Sequence, residues 1–154
     1  MSKPEAGKPA PDFELVSQDF TKVRLSQFRG HHPVVIFFYP KDDTSGCTKE
    51  ACGFRDARPE FEALGAKLIG ISSDSEESHA RFAAKYQLPF ILLSDKGGKV
   101  RKLYQVKSTL GIIPGRATFV IDRDGVLIHE FSSQTAPTRH IDEALAALRR
   151  VQRV

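Results

Sequence analysis

The stretch VVIFFYPKDDTSGCTKEACGFR, residues 34–55, decides the architecture. It opens with six β-branched or aromatic residues in a row, Val34 to Tyr39. Such a run is what a central strand covered on both faces needs, because neither face meets water. Pro40 ends it, since proline has no N–H to give the ladder. A polar loop over 41–46 follows, and residues 47–55 have helical composition. Strand, loop and helix are thus expected in direct succession, with Cys47 in the first helical turn. In an open α/β sheet, the carboxyl end of a central strand is the expected place for a site.

Outward from this core the pattern alternates. Residues 13–16 and 23–25 flank a polar segment and read as a small antiparallel hairpin, preceded by an extended arm containing Pro4, Pro9 and Pro11. Residues 26–29 suit one helical turn before Gly30. Downstream, a helix is expected from Pro59 towards Leu64, with Gly65 as its C-cap, then a strand over 67–72. A helix over 75–86 carries Phe82 and Tyr86 four apart, and a buried strand over 90–93 precedes a turn and a short helix reaching Tyr104. Residues 105–115 read as a loop. Strands over 117–121 and 126–131 flank Asp124-Gly125, a strong hairpin signal. The last helix, from about Pro137, lines up Ile141, Ala144, Leu145 and Leu148 in one apolar stripe. Helices between buried strands require three parallel strands, and the late hairpin adds an antiparallel pair. The expectation is a mixed α/β sheet with helices on both faces, in a single domain over 1–154.

Composition excludes several classes of function. With 23 basic and 19 acidic residues, the net charge of +4 is too mild and too scattered for a nucleic-acid footprint. Arg149, Arg150 and Arg153 come closest to a cluster and read as a solvated helix end. No run approaches the roughly 18 apolar residues of a membrane span. Residues 1–13 show no hydrophobic signal segment, so a cytoplasmic location is expected, or an organelle stroma if a targeting peptide has been removed. Two cysteines are too few for a disulfide scaffold and point to a reducing compartment.

The cysteines lie five apart, at Cys47 and Cys52. A thiol in a first helical turn faces unpaired N–H groups and the positive end of the dipole, which favour the thiolate. On an ideal helix the two Cα atoms would sit roughly 8.7 Å apart, beyond the limit of about 7 Å for a bridge. A disulfide between them would therefore need local unwinding. From composition alone, two inert buried thiols are an equal reading. Thr44 can cap the helix, or its hydroxyl can touch the sulfur or a small molecule bound beside it. Pro40 is explained by strand termination alone. No metal site is expected, because the five histidines show no ligand spacing around the cysteines. His31 and His32 read as surface or loop residues. His79 and His140 fall in expected helices and read as exposed rather than catalytic.

The segments GKPAPDFEL (7–15), FFYPKDDTSGCTKEAC (37–52), IGISSDS (69–75), FILLSD (90–95) and PGRATFVIDRDG (114–125) occur in this order. Together they resemble the peroxiredoxins, specifically the bacterioferritin-comigratory or peroxiredoxin Q group, over essentially the whole chain. The resemblance implies a thioredoxin-like fold with an N-terminal β-hairpin extension. It implies that Cys47 is the peroxidatic cysteine and Cys52 the resolving one, joined by an intramolecular disulfide. Thr44 would hydrogen-bond sulfur and peroxide, Pro40 would shield the sulfenic acid from water, and Arg116 matches the active-site arginine. Glu50 falls where the family orients that arginine with a carboxylate, although an exposed helical glutamate is the default reading. Ser45 replaces the proline that many members have before this glycine, which implies a less rigid loop.

The activity so implied is thiol-dependent reduction of hydrogen peroxide or organic hydroperoxides, without a bound cofactor. Recycling by thioredoxin or a glutaredoxin-like dithiol and a monomeric or weakly dimeric state are implied as well. A thiol–disulfide oxidoreductase should show Cys-x-x-Cys, which this chain does not. The non-enzymatic alternative is a redox-sensing or holdase-type interaction protein using the same oxidisable pair.

Overall fold

The computed structural model describes residues 4–107, 115–133 and 135–152. The strands are β1 (Glu14–Ser17), β2 (Lys22–Arg24), β3 (Val34–Phe38), β4 (Lys67–Ser72), β5 (Ile91–Ser94), β6 (Ala117–Ile121) and β7 (Leu127–Ser132). The helices are α1 (Ser45–Asp56), α2 (Arg58–Ala63), α3 (Glu76–Tyr86), α4 (Lys99–Leu103) and α5 (Arg139–Gln152), with 3-10 turns at Leu25–Phe28 and Lys96–Gly98. All seven strands form one sheet in the order β2-β1-β5-β4-β3-β6-β7. β3 runs parallel to β4, and β4 to β5, while β6 is antiparallel to both β3 and β7. This mixed sheet between helices is the expected thioredoxin-like architecture.

The N-terminal hairpin is no separate appendage. Its strand β1 docks antiparallel on β5, with Val16 opposite Ser94 and Ser17 opposite Leu93. That pairing explains why both strands end one residue later than their apolar runs suggest. The arm before the hairpin lies along the far edge, where Gly7 N donates to Leu127 O and Leu127 N to Lys8 O.

β3 sits near the middle and is buried along its whole length. Side chains alternate across a strand, so Val35, Phe37 and Tyr39 face one core, and Val34, Ile36 and Phe38 the other. The first core takes residues from α1, α2, α3 and α5, and the second from α4, the first 3-10 turn and the hairpin. Phe37 stacks on Phe54 of α1 with ring centroids 4.4 Å apart. Gly53 makes the α1–α5 contact close, since a Cβ there would come within 2.9 Å of Ile141 Cδ1. The helix carrying both cysteines is thereby fastened on its inner face and opens directly beyond the end of β3.

Candidate active site

The chain leaves β3 at Phe38, still giving Tyr39 N to Ile71 O, and turns at the half-buried Pro40 into the loop before α1. Two aspartates pin this loop to α3. Asp42 Oδ1 accepts from the Tyr39 hydroxyl at 2.5 Å, and its Oδ2 accepts from Ser78 Oγ at 2.8 Å. His79 Nδ1 lies 2.7 Å from that same Oδ2, while its Nε2 faces Leu93 O at 3.0 Å. Burial, with Asp42 beside it, holds the Tyr39 hydroxyl well above its ordinary pKa, so it stays a donor. Asp43, in the left-handed region, takes Lys85 Nζ and the Tyr86 hydroxyl, each at 2.7 Å. His79 is therefore fully buried, not the exposed helical residue the sequence suggests.

Thr44 occupies the N-cap position of α1, and its carbonyl accepts Thr48 N at 2.8 Å. Its side chain caps nothing. The exposed hydroxyl instead donates to Lys41 O at 3.1 Å, which leaves the first-turn amides unclaimed by it. Cys47 is the third residue of the helix, in that first turn, and its side chain is buried, with 2 % of the residue exposed. Cys52 is half-buried on the same helix, and both thiols are free.

Arg116 reaches the sulfur from the loop before β6. Its Nη2 donates to Cys47 Sγ at 3.4 Å and its Nη1 to Glu50 Oε1 at 2.6 Å. Gly46 permits the approach, because a Cβ there would lie 3.0 Å from Arg116 Nη2. Burial works against the guanidinium charge, but Glu50 and Cys47 more than offset it and hold its pKa above the ordinary value. Glu50 is fully buried, against the default of an exposed helical glutamate, and burial raises its pKa to about 8 even though Arg116 opposes this. Ser45 is exposed at the first position of α1.

Two further side chains complete the site, and sequence reasoning did not find them. Arg101 of α4 is buried and donates to Tyr39 O at 2.8 Å and to Gly115 O at 2.6 Å. Those carbonyls immediately precede Pro40 and Arg116, so one guanidinium ties together the two segments that deliver site residues. Asp95 fixes the start of α4 by accepting Val100 N and Arg101 N. His140 of α5, expected to be exposed, is fully buried behind Glu50, with Nδ1 3.5 Å from Glu50 Oε2. Its place four residues before Ala144 and eight before Leu148 puts it on the apolar stripe, a signal that could have revealed the burial. Among the described residues, no helix is long and apolar enough to cross a membrane.

Chemically, the cluster places one sulfur at a helix N-terminus against a guanidinium, in a buried setting where that attraction is screened little. Both features favour a negative charge at that position.

Comparison with known proteins agrees. The AhpC/TSA family model matches residues 6–130. A chloroplastic peroxiredoxin Q of Sedum lineare is 50% identical over 149 residues, which are 96% of this chain and 80% of that protein. Its counterpart from Arabidopsis thaliana is 48% identical over 150 residues, covering 97% and 69%. Among solved structures, the peroxidoxin BcpB of Mycobacterium tuberculosis superposes with a TM-score of 0.88 at 42% identity, covering 96% of this chain and 98% of that one. The bacterioferritin comigratory protein of Xanthomonas campestris gives 0.83 at 33% identity, covering 96% and 99%. With its buried thiol, its sheet order and these relatives in agreement, the chain belongs to the AhpC/TSA family, in the peroxiredoxin Q and bacterioferritin comigratory branch of thiol peroxidases.

Proposed function

We propose that Cys47 is the peroxidatic cysteine and Cys52 its resolving partner, and that the chain reduces hydrogen peroxide and organic hydroperoxides on this pair. The observation that carries the assignment is the 3.4 Å contact from Arg116 Nη2 to the buried Cys47 sulfur at the start of α1. The Cys47 thiolate attacks the terminal peroxide oxygen, forming an S–O bond and expelling water or alcohol. Arg116, with two donors on one fork, suits the charge that develops on the separating oxygens. Glu50 orients that fork through Nη1. Pro40 shields the sulfenic acid from solvent. The Thr44 hydroxyl, which donates to Lys41 O in the free site, turns to the bound peroxide. Cys52 then displaces water from the sulfenic acid, and a thioredoxin or glutaredoxin-like dithiol reduces the disulfide by exchange.

A reducing cytoplasm or organelle stroma suits two free thiols, and several relatives are named as chloroplastic. We infer a monomer or weak dimer from the resemblance to the peroxiredoxin Q group. The alkyl peroxide reduction named for the Xanthomonas campestris protein supports organic hydroperoxides as substrates.

One equivalent of peroxide added to the reduced chain tests the assignment. Two free thiols should fall to none, with a mass loss of two hydrogens and no retained oxygen. Retention of one oxygen with one thiol left would remove Cys52 from the resolving role.

The disulfide also requires motion. Both cysteines lie within α1, where ideal helical spacing puts their Cα atoms roughly 8.7 Å apart against a bridging limit near 7 Å. Oxidation should therefore unwind the first turns of α1. Phe54, stacked on Phe37, sets the far end, because exposing a buried phenylalanine costs about 1.5 to 3 kcal/mol. Amides from Cys47 to Gly53 should exchange much faster in the oxidised protein, and those of β3 should change little. Equal protection of α1 in both states, measured by mass spectrometry, would mean that Cys52 reaches Cys47 by another route or not at all.

A further inference from the structure

The site as assigned uses one oxygen of Glu50 and leaves the other without a role. Oε2 is fully buried and has no hydrogen-bond partner among the described residues. The group it approaches is His140 Nδ1, at 3.5 Å. The protonation of that nitrogen follows from its surroundings. Ser133 O, a carbonyl that can only accept, lies 2.9 Å from His140 Nε2, so Nε2 carries the hydrogen. Thr118 Oγ1 lies 2.7 Å from Nδ1. Burial, helped by Arg116 and opposed by Ser133 O and Glu143, lowers the imidazole pKa to about 4, so the ring is neutral near pH 7. A neutral ring with its hydrogen on Nε2 presents a lone pair at Nδ1, to which the Thr118 hydroxyl donates. With that one lone pair taken, His140 offers Glu50 Oε2 neither a hydrogen nor a positive charge, so a carboxylate anion would be left with a buried oxygen that no donor meets among the described residues.

The charge count points the same way. Glu50 is faced by Arg116 from the loop before β6, by His140 from α5, and on its own helix by Cys47, which shares Arg116. Thr118 of β6 contributes only its hydroxyl. Glu50 thus has one cation, Arg116, and shares it with Cys47, which the buried Arg101 also approaches.

We propose that in the reduced protein Glu50 carries a proton on Oε2, that neutral His140, its one lone pair held by Thr118, is the positioning residue that withholds a donor from that oxygen, and that Arg116 is thereby left to the Cys47 thiolate. The proposal rests on the assignment of Cys47 as peroxidatic. The rise of the Glu50 pKa to about 8, caused first by burial, agrees with it.

A consequence for the reaction follows. Cys47 sulfur takes the terminal OH of the peroxide as the O–O bond breaks. Sulfur loses two electrons and the remaining oxygen leaves as alkoxide or hydroxide. Thiolate, hydroperoxide and protonated Glu50 become neutral sulfenic acid, alcohol or water, and a Glu50 carboxylate. Arg116, having lost its sulfur anion, pairs with that carboxylate. Glu50 thus gives up one proton in the step whose leaving group needs one.

Infrared difference spectra of the full chain, reduced against oxidised by one equivalent of hydrogen peroxide, test this at neutral pH. The reduced protein should show the C=O stretch of a protonated carboxyl that disappears on oxidation and is missing in Glu50→Gln. A reduced protein without such a band, or a band unchanged in Glu50→Gln, overturns the proposal. Iodoacetamide labelling of Cys47 in a Cys52→Ser background gives a second readout that needs no peroxide. His140→Asn, whose amide can donate to Oε2, should slow labelling several-fold at pH 7, because the carboxylate so stabilised takes Arg116 and the shared proton moves to Cys47. His140→Phe, which offers Oε2 no donor, should slow it far less. Equal slowing by both variants would show a merely structural histidine. Should His140→Phe fail to fold, the infrared comparison with Glu50→Gln still decides. A carboxyl band present in the reduced parent, together with peroxide consumption that survives loss of Cys47, would sink the peroxidatic assignment but leave the protonated Glu50 standing.

Discussion

Cys47→Ser is expected to consume no measurable peroxide, a loss of at least about 10³-fold, or ~4 kcal/mol of barrier. The sulfur position is defined by the N-terminus of α1 and by Arg116 Nη2 at 3.4 Å, and a serine oxygen would sit in the same surroundings. Those surroundings favour an anion, but a hydroxyl is too weak an acid to supply one near neutral pH. Nor can its oxygen pass through a sulfenic acid and back. The substitution is nearly isosteric, and the inner face of α1 is held by Ala51 and Phe54, so the fold should survive. Loss of activity would then report chemistry rather than unfolding. Stopped-flow peroxide consumption near the parent rate in this variant would remove Cys47 from the reaction, and unchanged consumption in Cys52→Ser with a thiol reductant present would separate the two cysteines.

The fold was legible because its strongest signals are local. The run from Val34 to Tyr39 is buried on both faces without exception, and the alternation of apolar stretches with Pro59, Gly65 and Asp124-Gly125 punctuated the rest. The docking of β1 on β5 was not legible, since pairing partners almost 80 residues apart leave no mark on either four-residue strand. At the site, the positions of Cys47, Cys52 and Thr44 followed from the strand–loop–helix order, and Glu50 and Arg116 from the family resemblance alone. Composition assigned the last two to the surface because charged residues are seldom buried unless paired, and the pairing here joins residues 66 apart. His79 and His140 failed for a different reason. Each lies at helical spacing from apolar residues, Phe82 and Tyr86 for the first and Ala144 and Leu148 for the second, yet a polar ring was assigned to water. Their polar atoms find partners inside, on Asp42 and Leu93 O for one and on Thr118 and Ser133 O for the other. Arg101 left no signal of any kind, because both carbonyls it binds come from other elements.

Arg116→Ala is expected to slow the oxidation of Cys47 by roughly 30- to 1000-fold, equivalent to about 2 to 4 kcal/mol of transition-state stabilisation. The guanidinium donates to sulfur and to Glu50 at once, in a site where neither contact is exchanged for water. Its charge is most needed as the O–O bond lengthens and both oxygens become more negative. Resolution by Cys52 should be far less affected, because that step displaces water from a neutral sulfenic acid after α1 has begun to unwind. The two steps separate in single-turnover experiments: the peroxide-dependent phase should slow, while the later concentration-independent phase keeps its rate. Arg116→Lys distinguishes charge from geometry. A lysine restores the cation but, as a single ammonium, cannot span sulfur and Glu50 as the fork does, so it should recover only part of the rate. Alanine also leaves Glu50 Oε1 without its partner, and a fall in thermal stability is expected alongside. That fall should be limited if Glu50 is already neutral, because an uncharged buried carboxyl is far less costly to strand than an anion. A bimolecular rate in Arg116→Ala equal to that of the parent would show that the arginine holds Glu50 in place and contributes nothing to the attack on peroxide.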